Sequence, residues 1–210
     1  MLAGKMFNHF KTVRTHRKWV RHYCFKAGLY WQGLVHDLSK YSPVEFFESV
    51  KYYQGNRSPI DACKEDKGYS MAWMHHRGRN KHHREYWTDY YDKGCYAICM
   101  PKKYAMEMLC DFLAAGRAYM GKDFSYYGEY LWWVNQLKRN ILIHPVVAIF
   151  ITNVMRDLYR SANKDVILQR LPQYYDEAVS LWQDQGGVKC EPYQFRSTYL
   201  IEEYKIYLGV

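Results

Sequence analysis

Histidine and carboxylate side chains suited to metal binding are concentrated in a few short stretches of the sequence. The segment GLVHDLSKYSPVEFF, residues 33–47, places His36 beside Asp37 and puts Lys40 three residues later. The chain has nine histidines, and four of the others lie in HHRGRNKHHR, residues 75–84. Imidazole nitrogens and carboxylate oxygens suit Mn, Fe, Co, Ni and Zn. These two segments predict a site for one or two divalent transition metal ions.

Asp111 is a third candidate, because it lies between Cys110 and Phe112 in an otherwise apolar stretch. Burying a carboxylate costs several kcal/mol unless it is paired or binds a cation. Asp111 is therefore predicted to be a metal ligand.

The elements that must position these residues are predicted to be helical, from the spacing of their apolar residues. One helix is predicted over residues 8–28, and a short second helix carries His36 and Asp37 near its C-terminal end. A third runs from Ser42 to Gly55, with Ser42 as N-cap and Glu45 in the capping-box position. Supporting a metal ligand is the alternative role for Glu45. Further helices are predicted over 69–91 with a break near Gly78, and over 101–121, 125–142, 145–163 and 165–184. Segments 55–68 and 92–100 are predicted loops, the tail 194–208 is ambiguous between helix and strand, and the fold class is all-α.

Length and composition predict one packed domain. The chain has 210 residues, of which 49% are hydrophobic and 18% aromatic. A single helical domain is expected over residues 1–210, with a motif-bearing core over about 8–150 and a helical extension over about 151–210. No apolar run approaches the roughly 18 residues that span a bilayer, and no signal-peptide pattern is visible, so a cytoplasmic location is expected. Six cysteines without a C-x-x-C pair predict reduced thiols.

The net charge of +9 is unevenly distributed. No acidic residue precedes Asp37, whereas basic residues accumulate there: Lys5, Lys11, Arg14, Arg17, Lys18, Arg21 and Lys26. Such a field attracts phosphate esters, nucleotides, nucleic acid or an anionic membrane surface. A solvated basic face is the ordinary alternative.

The combination of motifs resembles a known superfamily. His16 on the first predicted helix, His36-Asp37 with Lys40, and Asp111 on a later helix resemble the HD-domain superfamily of metal-dependent phosphohydrolases. More narrowly, HDLSKYSPVEF, WMHHRGRNKHHREYW and MPKKYAMEMLCDFLAAG resemble an uncharacterised bacterial and phage family classed as HD-like, over roughly residues 8–150. The resemblance implies an all-α, HD-domain-like helical bundle.

The resemblance also implies roles for individual residues. One divalent ion would be held by His16, His36, Asp37 and Asp111. A second ion, bridged by Asp37, would be held by His76 and by one or both of His82 and His83. His22 is an alternative to His16, because the interval from His16 to His36 is shorter than usual in the superfamily. The doubled histidines leave open which member of His75/His76 and of His82/His83 faces the site.

The implied reaction is metal-assisted hydrolysis of a nucleotide or another small phosphate ester. Asp37 and Lys40 are the predicted catalytic residues, and the predicted phosphate ligands are Lys40, Arg77 and Arg79. One alternative is that the same residues hold two irons for oxygen-dependent chemistry. Another is a non-enzymatic, basic helical protein that binds nucleic acid through phosphate contacts and stacking. A homo-oligomer stays open, and no membrane partner is expected.

Overall fold

The computed structural model describes residues 2–91, 94–139, 141–184 and 193–194. In these ranges the α-helices are α1 Leu2–Lys26, α2 Tyr30–Val35, α3 Pro43–Tyr52, α4 Pro59–Lys67, α5 Met71–Arg77, α6 Lys102–Met120, α7 Tyr126–Lys138, α8 Pro145–Arg160, α9 Lys164–Gln169 and α10 Leu171–Asp184. Short 3-10 helices are Leu38–Tyr41, Arg84–Trp87 and Gly121–Asp123. The all-α prediction is confirmed.

A small antiparallel sheet accompanies the helices. Its strands are β1 Thr88–Tyr91, β2 Gly94–Ala97 and β3 Tyr193–Gln194, in the order β1-β2-β3. The register pairs Thr88 with Ala97 and Tyr91 with Gly94. The sheet lies beyond the histidine-rich segment and contributes none of the predicted site residues.

The hydrophobic core is built mainly from α1, α6, α7, α8 and α10. Helix α1 packs against α6, while α8 packs against both α7 and α10. Residues 146–152 of α8 are all buried, which places this helix at the centre of the core. The indole of Trp133 donates to Thr152 Oγ1 at 2.8 Å, so these two polar groups are satisfied inside the core. The pair α1 and α6 forms the wall that carries two of the predicted metal ligands.

Three short elements differ from the sequence prediction, and one of them is β2, which lies in the predicted loop 92–100. Helix α4 lies in the predicted loop 55–68, where the Ser58 hydroxyl caps the helix and Gly68 ends it at φ 77. The cap and stop signals are present in the sequence, but nine mostly polar residues give little periodicity. The predicted helix 69–91 ends with α5, and residues 88–91 form β1. Their threonine and tyrosine content favours a strand.

The predicted helix 165–184 is two helices, α9 and α10, which meet at Arg170. Pro172 in the first turn of α10 has no amide hydrogen to continue the preceding helix, so the break falls just before it. Apart from Gln194, the ambiguous tail 194–208 lies outside the described residues. The cysteines that the structure describes are free thiols, as predicted: Cys24, Cys63, Cys95, Cys99 and Cys110. Among the helices described, none combines the length and apolarity that crossing a membrane requires.

His144 makes the acid stability of α8 testable. Its Nδ1 accepts from the Val146 amide at 3.3 Å as the N-cap of α8, and burial lowers the pKa of this imidazole to about 4. Because the folded pKa lies below the ordinary 6.5, the unfolded chain takes up the proton first. Neutral His144 therefore contributes fully to the free energy of unfolding above pH 6.5. This contribution, up to about 3 kcal/mol, is lost as the pH falls toward 4. Asparagine caps a helix but does not titrate. As the pH falls from 6.5 to 4, we therefore expect the free energy of unfolding to decrease less in His144→Asn than in the parent.

Urea unfolding of both proteins on either side of this pH window measures the difference. An equal loss of stability in the parent and in His144→Asn would contradict the assignment.

Candidate metal centre

The first group of candidate ligands brings together α1, α6 and the chain between α2 and the following 3-10 helix. His16 Nε2 lies 3.0 Å from Asp111 Oδ1 and 3.6 Å from Asp37 Oδ2. His36 Nε2 lies 3.4 Å from each of the same two oxygens. One ligand atom from each of these four residues lies within 4.8 Å of the others, and all four residues are buried. This spacing suits four ligands around one ion.

The second group faces the other oxygen of Asp37. Asp37 Oδ1 lies 3.3 Å from His76 Nε2 and 3.4 Å from His82 Nε2. His83 joins these residues in a second set whose ligand atoms also lie within 4.8 Å of one another. The Asp37 carboxylate therefore stands between two groups of imidazole nitrogens, with one oxygen toward each.

The backbone at Asp37 explains how two adjacent residues reach one centre. Asp37 has φ 54 and is the one non-glycine residue with positive φ among those described. This left-handed conformation is tolerated by Asp more readily than by most residues. It reverses the chain immediately after α2. Arg17 fixes this turn, because its Nε donates to the carbonyl of His36 at 2.8 Å and its Nη2 to that of Leu34 at 3.0 Å.

Two buried glutamates orient the imidazoles. Glu107 Oε1 lies 2.9 Å from His36 Nδ1 and 3.2 Å from His82 Nδ1. Glu45 Oε2 lies 2.7 Å from His76 Nδ1, while its Oε1 lies 2.6 Å from His75 Nδ1. A neutral imidazole that donates from Nδ1 keeps its lone pair on Nε2, the atom that faces Asp37. Such carboxylate partners are typical of histidines that bind metal.

Several polar atoms at the centre have no hydrogen bond of acceptable geometry. They include the Nε2 atoms of His16, His36 and His82 and both carboxylate oxygens of Asp37. Asp37 is 1% exposed, and buried polar atoms of native proteins are nearly always paired. A cation bound among these atoms would satisfy them, so the residues fit a metal ion.

The charge balance at the centre also calls for a cation. Burial opposes ionisation of Asp37, but the neighbouring His36 and Lys40 outweigh it and hold the pKa of Asp37 well below 3.8. Burial likewise opposes ionisation of Asp111, but the neighbouring imidazoles of His16 and His36 outweigh it and hold the pKa of Asp111 well below 3.8. Burial disfavours protonated His36, yet Asp37 and Asp111 raise the pKa of His36 well above 6.5. The ionised carboxylates thus require positive charge, from protons or from metal.

The histidines that the sequence leaves open lie at different distances from Asp37. His16 belongs to the first group, whereas His22 is exposed and has edge contacts with the rings of Trp19 and Tyr23. His76 faces Asp37, whereas its neighbour His75 contacts Glu45 at the periphery. Both His82 and His83 belong to the second group.

The predicted phosphate-binding residues are not brought together. Lys40 Nζ lies 2.6 Å from Asp37 Oδ2, with the lysine side chain 29% exposed. Arg77 and Arg79 are exposed, and neither lines the cavity beside the centre. Arg79 instead lies 3.4 Å from the carbonyl of His75 through its Nη1. Phosphate binding by these two arginines stays a prediction.

The sequence suggests no role for Glu107, and for Glu45 it suggests either a helix cap or a residue that supports a metal ligand. In the structure Ser42 makes no side-chain cap, and Glu45 is 3% exposed with both oxygens on histidines, so the capping-box assignment is wrong. Glu107 lies one turn before Asp111 on the buried side of α6. That spacing was the available signal, because two carboxylates four residues apart share one helix face.

A cavity of about 200 Å³ adjoins the centre. The candidate ligands His16, His76, His83 and Asp111 line one part of it. Much of the remaining wall is apolar, formed by Val13, Pro59, Ile60, Ala72, Trp73 and Ala115. Among the described residues that line it, Lys40 is the one lysine or arginine. The cavity therefore offers a small ligand the candidate ligands, one ammonium group and an apolar wall.

Fold and site together define a helical protein with buried histidine and carboxylate clusters that could hold a metal ion. Residues 5–157 match DUF5662, a family of unknown function, and the chain belongs to this family. The matched range contains every candidate metal ligand. No curated protein and no solved structure matches the chain.

Proposed function

We propose that the protein is a metal-dependent phosphohydrolase that acts on a small phosphate ester. The observation that carries the proposal is the position of Asp37, which has one oxygen toward each histidine group and Lys40 beside it at the cavity wall. The resemblance of the sequence to HD-domain phosphohydrolases supports the same chemistry.

The two groups divide the proposed metal ligands between them. His16, His36, Asp37 and Asp111 would hold one ion, and Asp37, His76, His82 and His83 would hold the other. Held by these residues, divalent ions would supply a water of lowered pKa, toward about 7, and a Lewis acid for a phosphoryl oxygen. Histidine and carboxylate ligands suit Mn, Fe, Co, Ni and Zn.

Lys40 supplies the positive charge for the substrate. Burial disfavours its ammonium form, but Asp37 and Asp111 outweigh burial and raise the pKa of Lys40, so it stays protonated at neutral pH. Asp37 Oδ2, 2.6 Å away, keeps the ammonium group near the centre. Ammonium groups bind phosphate oxygens as compact point charges. With one such cation and a largely apolar wall, the cavity favours a substrate with a single phosphate group.

The proposal is tested with purified protein loaded with Mn, Co, Ni or Mg. We expect metal-dependent release of phosphate from p-nitrophenyl phosphate or from nucleoside monophosphates. Apo protein prepared with a chelator is the control. Metal-loaded protein that releases no phosphate from any monoester would contradict the proposal.

Lys40→Gln is expected to lower kcat/KM for phosphate release by about 10- to 100-fold, because a hydrogen bond to a charged group is lost. Metal content should not change, because Lys40 belongs to neither ligand group. Phosphate release and metal analysis of the same preparations provide the measurement. Lys51→Gln, an exposed change on α3, is the matched control. Unaltered kcat/KM in Lys40→Gln would rule out this role for Lys40.

The apolar cavity wall favours one second candidate, a two-iron protein with oxygen-dependent chemistry. The same histidine and carboxylate ligands suit iron. The cavity wall is mainly apolar and has one positively charged residue, Lys40, so an uncharged substrate also fits it. Iron near two ions per chain, together with an oxygen-dependent optical change, would favour this function. Redox-inert metal with phosphate release would favour the hydrolase.

A further inference from the structure

A second concave surface lies on the other side of α1. This groove, of about 700 Å³, is lined by residues of α1 and α2 and by Tyr41. Its basic residues are Lys11, Arg14, Arg17, Lys18 and Arg21. No acidic residue is among the described residues that line it. The groove therefore presents uncompensated positive charge in a concave surface.

Aromatic rings lie among these cations. Phe7 is 69% exposed and Phe10 is 40% exposed, although both are large apolar side chains. Phe10 and Tyr41 have ring centroids 5.8 Å apart. The guanidinium of Arg14 lies 5.8 Å from the centroid of Phe10, and that of Arg17 lies 5.4 Å from the centroid of Tyr41. The rings and the guanidinium groups thus form one mixed surface.

The groove is separate from the metal centre. Helix α1 turns His9, Val13 and His16 toward the cavity beside the centre, and turns Phe10, Arg14 and their neighbours toward the groove. A ligand in the groove is therefore separated by α1 from Asp37 and the other candidate metal ligands. Its binding does not depend on the proposed phosphohydrolase activity.

We propose that this groove binds single-stranded nucleic acid. Lysine and arginine side chains would contact the phosphates, while unpaired bases would stack on the exposed rings. A single strand is favoured over a duplex, because bases in a duplex already stack on each other and do not offer their faces. A flexible polyanion can also follow a concave surface whose lining includes the buried Gly33, which a flat membrane surface cannot.

The test is fluorescence anisotropy with labelled single strands of DNA and RNA of about 12 nucleotides. Binding should weaken steeply from about 50 mM to about 200 mM salt. The triple variant Lys11→Gln/Arg14→Gln/Lys18→Gln removes three exposed charges and leaves Arg17 on the carbonyl of His36. The slope of log K against log salt should become shallower by about 2, because each single-strand phosphate contact contributes about 0.7.

Two further variants separate a specific groove from general attraction. Phe10→Ala should weaken single-strand binding by roughly five- to 150-fold through lost stacking. The triple variant Lys122→Gln/Lys138→Gln/Arg139→Gln removes the same charge from exposed residues outside the groove and should leave affinity nearly unchanged. Equal losses in both triple variants would overturn the proposal.

Competing ligands complete the test. We expect a duplex of the same length, and vesicles containing phosphatidylserine, to bind more weakly than the single strand. Tighter binding to either, or no single-strand binding at the lower salt concentration, would overturn the proposal. Metal content measured in every variant verifies that the centre is intact, so failure here is distinguishable from failure of the proposed phosphohydrolase activity.

Discussion

Asp37→Asn is expected to remove metal from both ligand groups at once. Asp37 is the residue that the two groups share, with Oδ2 toward His36 and Oδ1 toward His76. The neutral amide removes the negative charge, and its NH₂ group turns a donor toward an imidazole nitrogen. Asn also tolerates the left-handed backbone at φ 54, so the fold should persist. Elemental analysis after dialysis should show the parent loaded and the variant at background, with metal-dependent phosphate release lost as well.

A matched control for this variant is Asp123→Asn, which removes an equal charge from an exposed 3-10 helix. Its metal content should equal that of the parent. Circular dichroism of both variants verifies that each is folded. If folded Asp37→Asn kept the metal content of the parent, the metal centre and both proposed activities would fail together.

Glu107→Gln is expected to weaken metal binding at both groups, although Glu107 faces the Nδ1 side of the imidazoles. The carboxylate accepts from His36 in one group and from His82 in the other. Both N–H groups lie on the same oxygen, Oε1, and glutamine removes the negative charge from that acceptor, so each hydrogen bond becomes weaker. Loss of such a partner typically lowers metal affinity by about 10- to 100-fold. Competition with a chelator measures the affinity of each ion.

Glu45→Gln provides the comparison, because Glu45 contacts His76 and His75 and neither of the first group's histidines. We expect it to weaken one ion and leave the other unchanged. Equal effects of the two variants on both ions would contradict the assignment of Glu107 to both ligand groups and of Glu45 to the second group alone.

Much of the centre could be predicted from the sequence because ionisable residues in apolar surroundings are unusual. His36-Asp37 after a short apolar run and Asp111 inside an apolar helix stand out in this way, and the structure brings them together with His16. The long helices were predictable for a related reason. Helix α8 has a proline in its first turn, where prolines favour helix starts, and a continuous run of apolar residues that becomes buried.

The residues that were missed depend on contacts between distant parts of the chain. In the sequence Glu107 resembles any other charged helix residue. Its role is visible only in the folded chain, where α6 brings it into contact with His36 and His82. Adjacent histidines cannot be distinguished by composition, and which of His75 and His76 faces Asp37 depends on how α5 packs against α3. The hairpin of β1 and β2 has a short, polar and aromatic sequence whose pairing is fixed by tertiary structure.

The ligands come from distant parts of the chain, and this has a thermodynamic consequence. His16, Asp37 and Asp111 of the first group lie on separate elements, so an ion bound by this group would join α1 to α6 as a non-covalent cross-link. An unfolded chain does not offer this arrangement, and binding is therefore linked to folding. At a free metal concentration one hundred times Kd, one such ion adds about 2.7 kcal/mol to the free energy of unfolding. The folded fraction of the protein would thus follow the supply of metal around it.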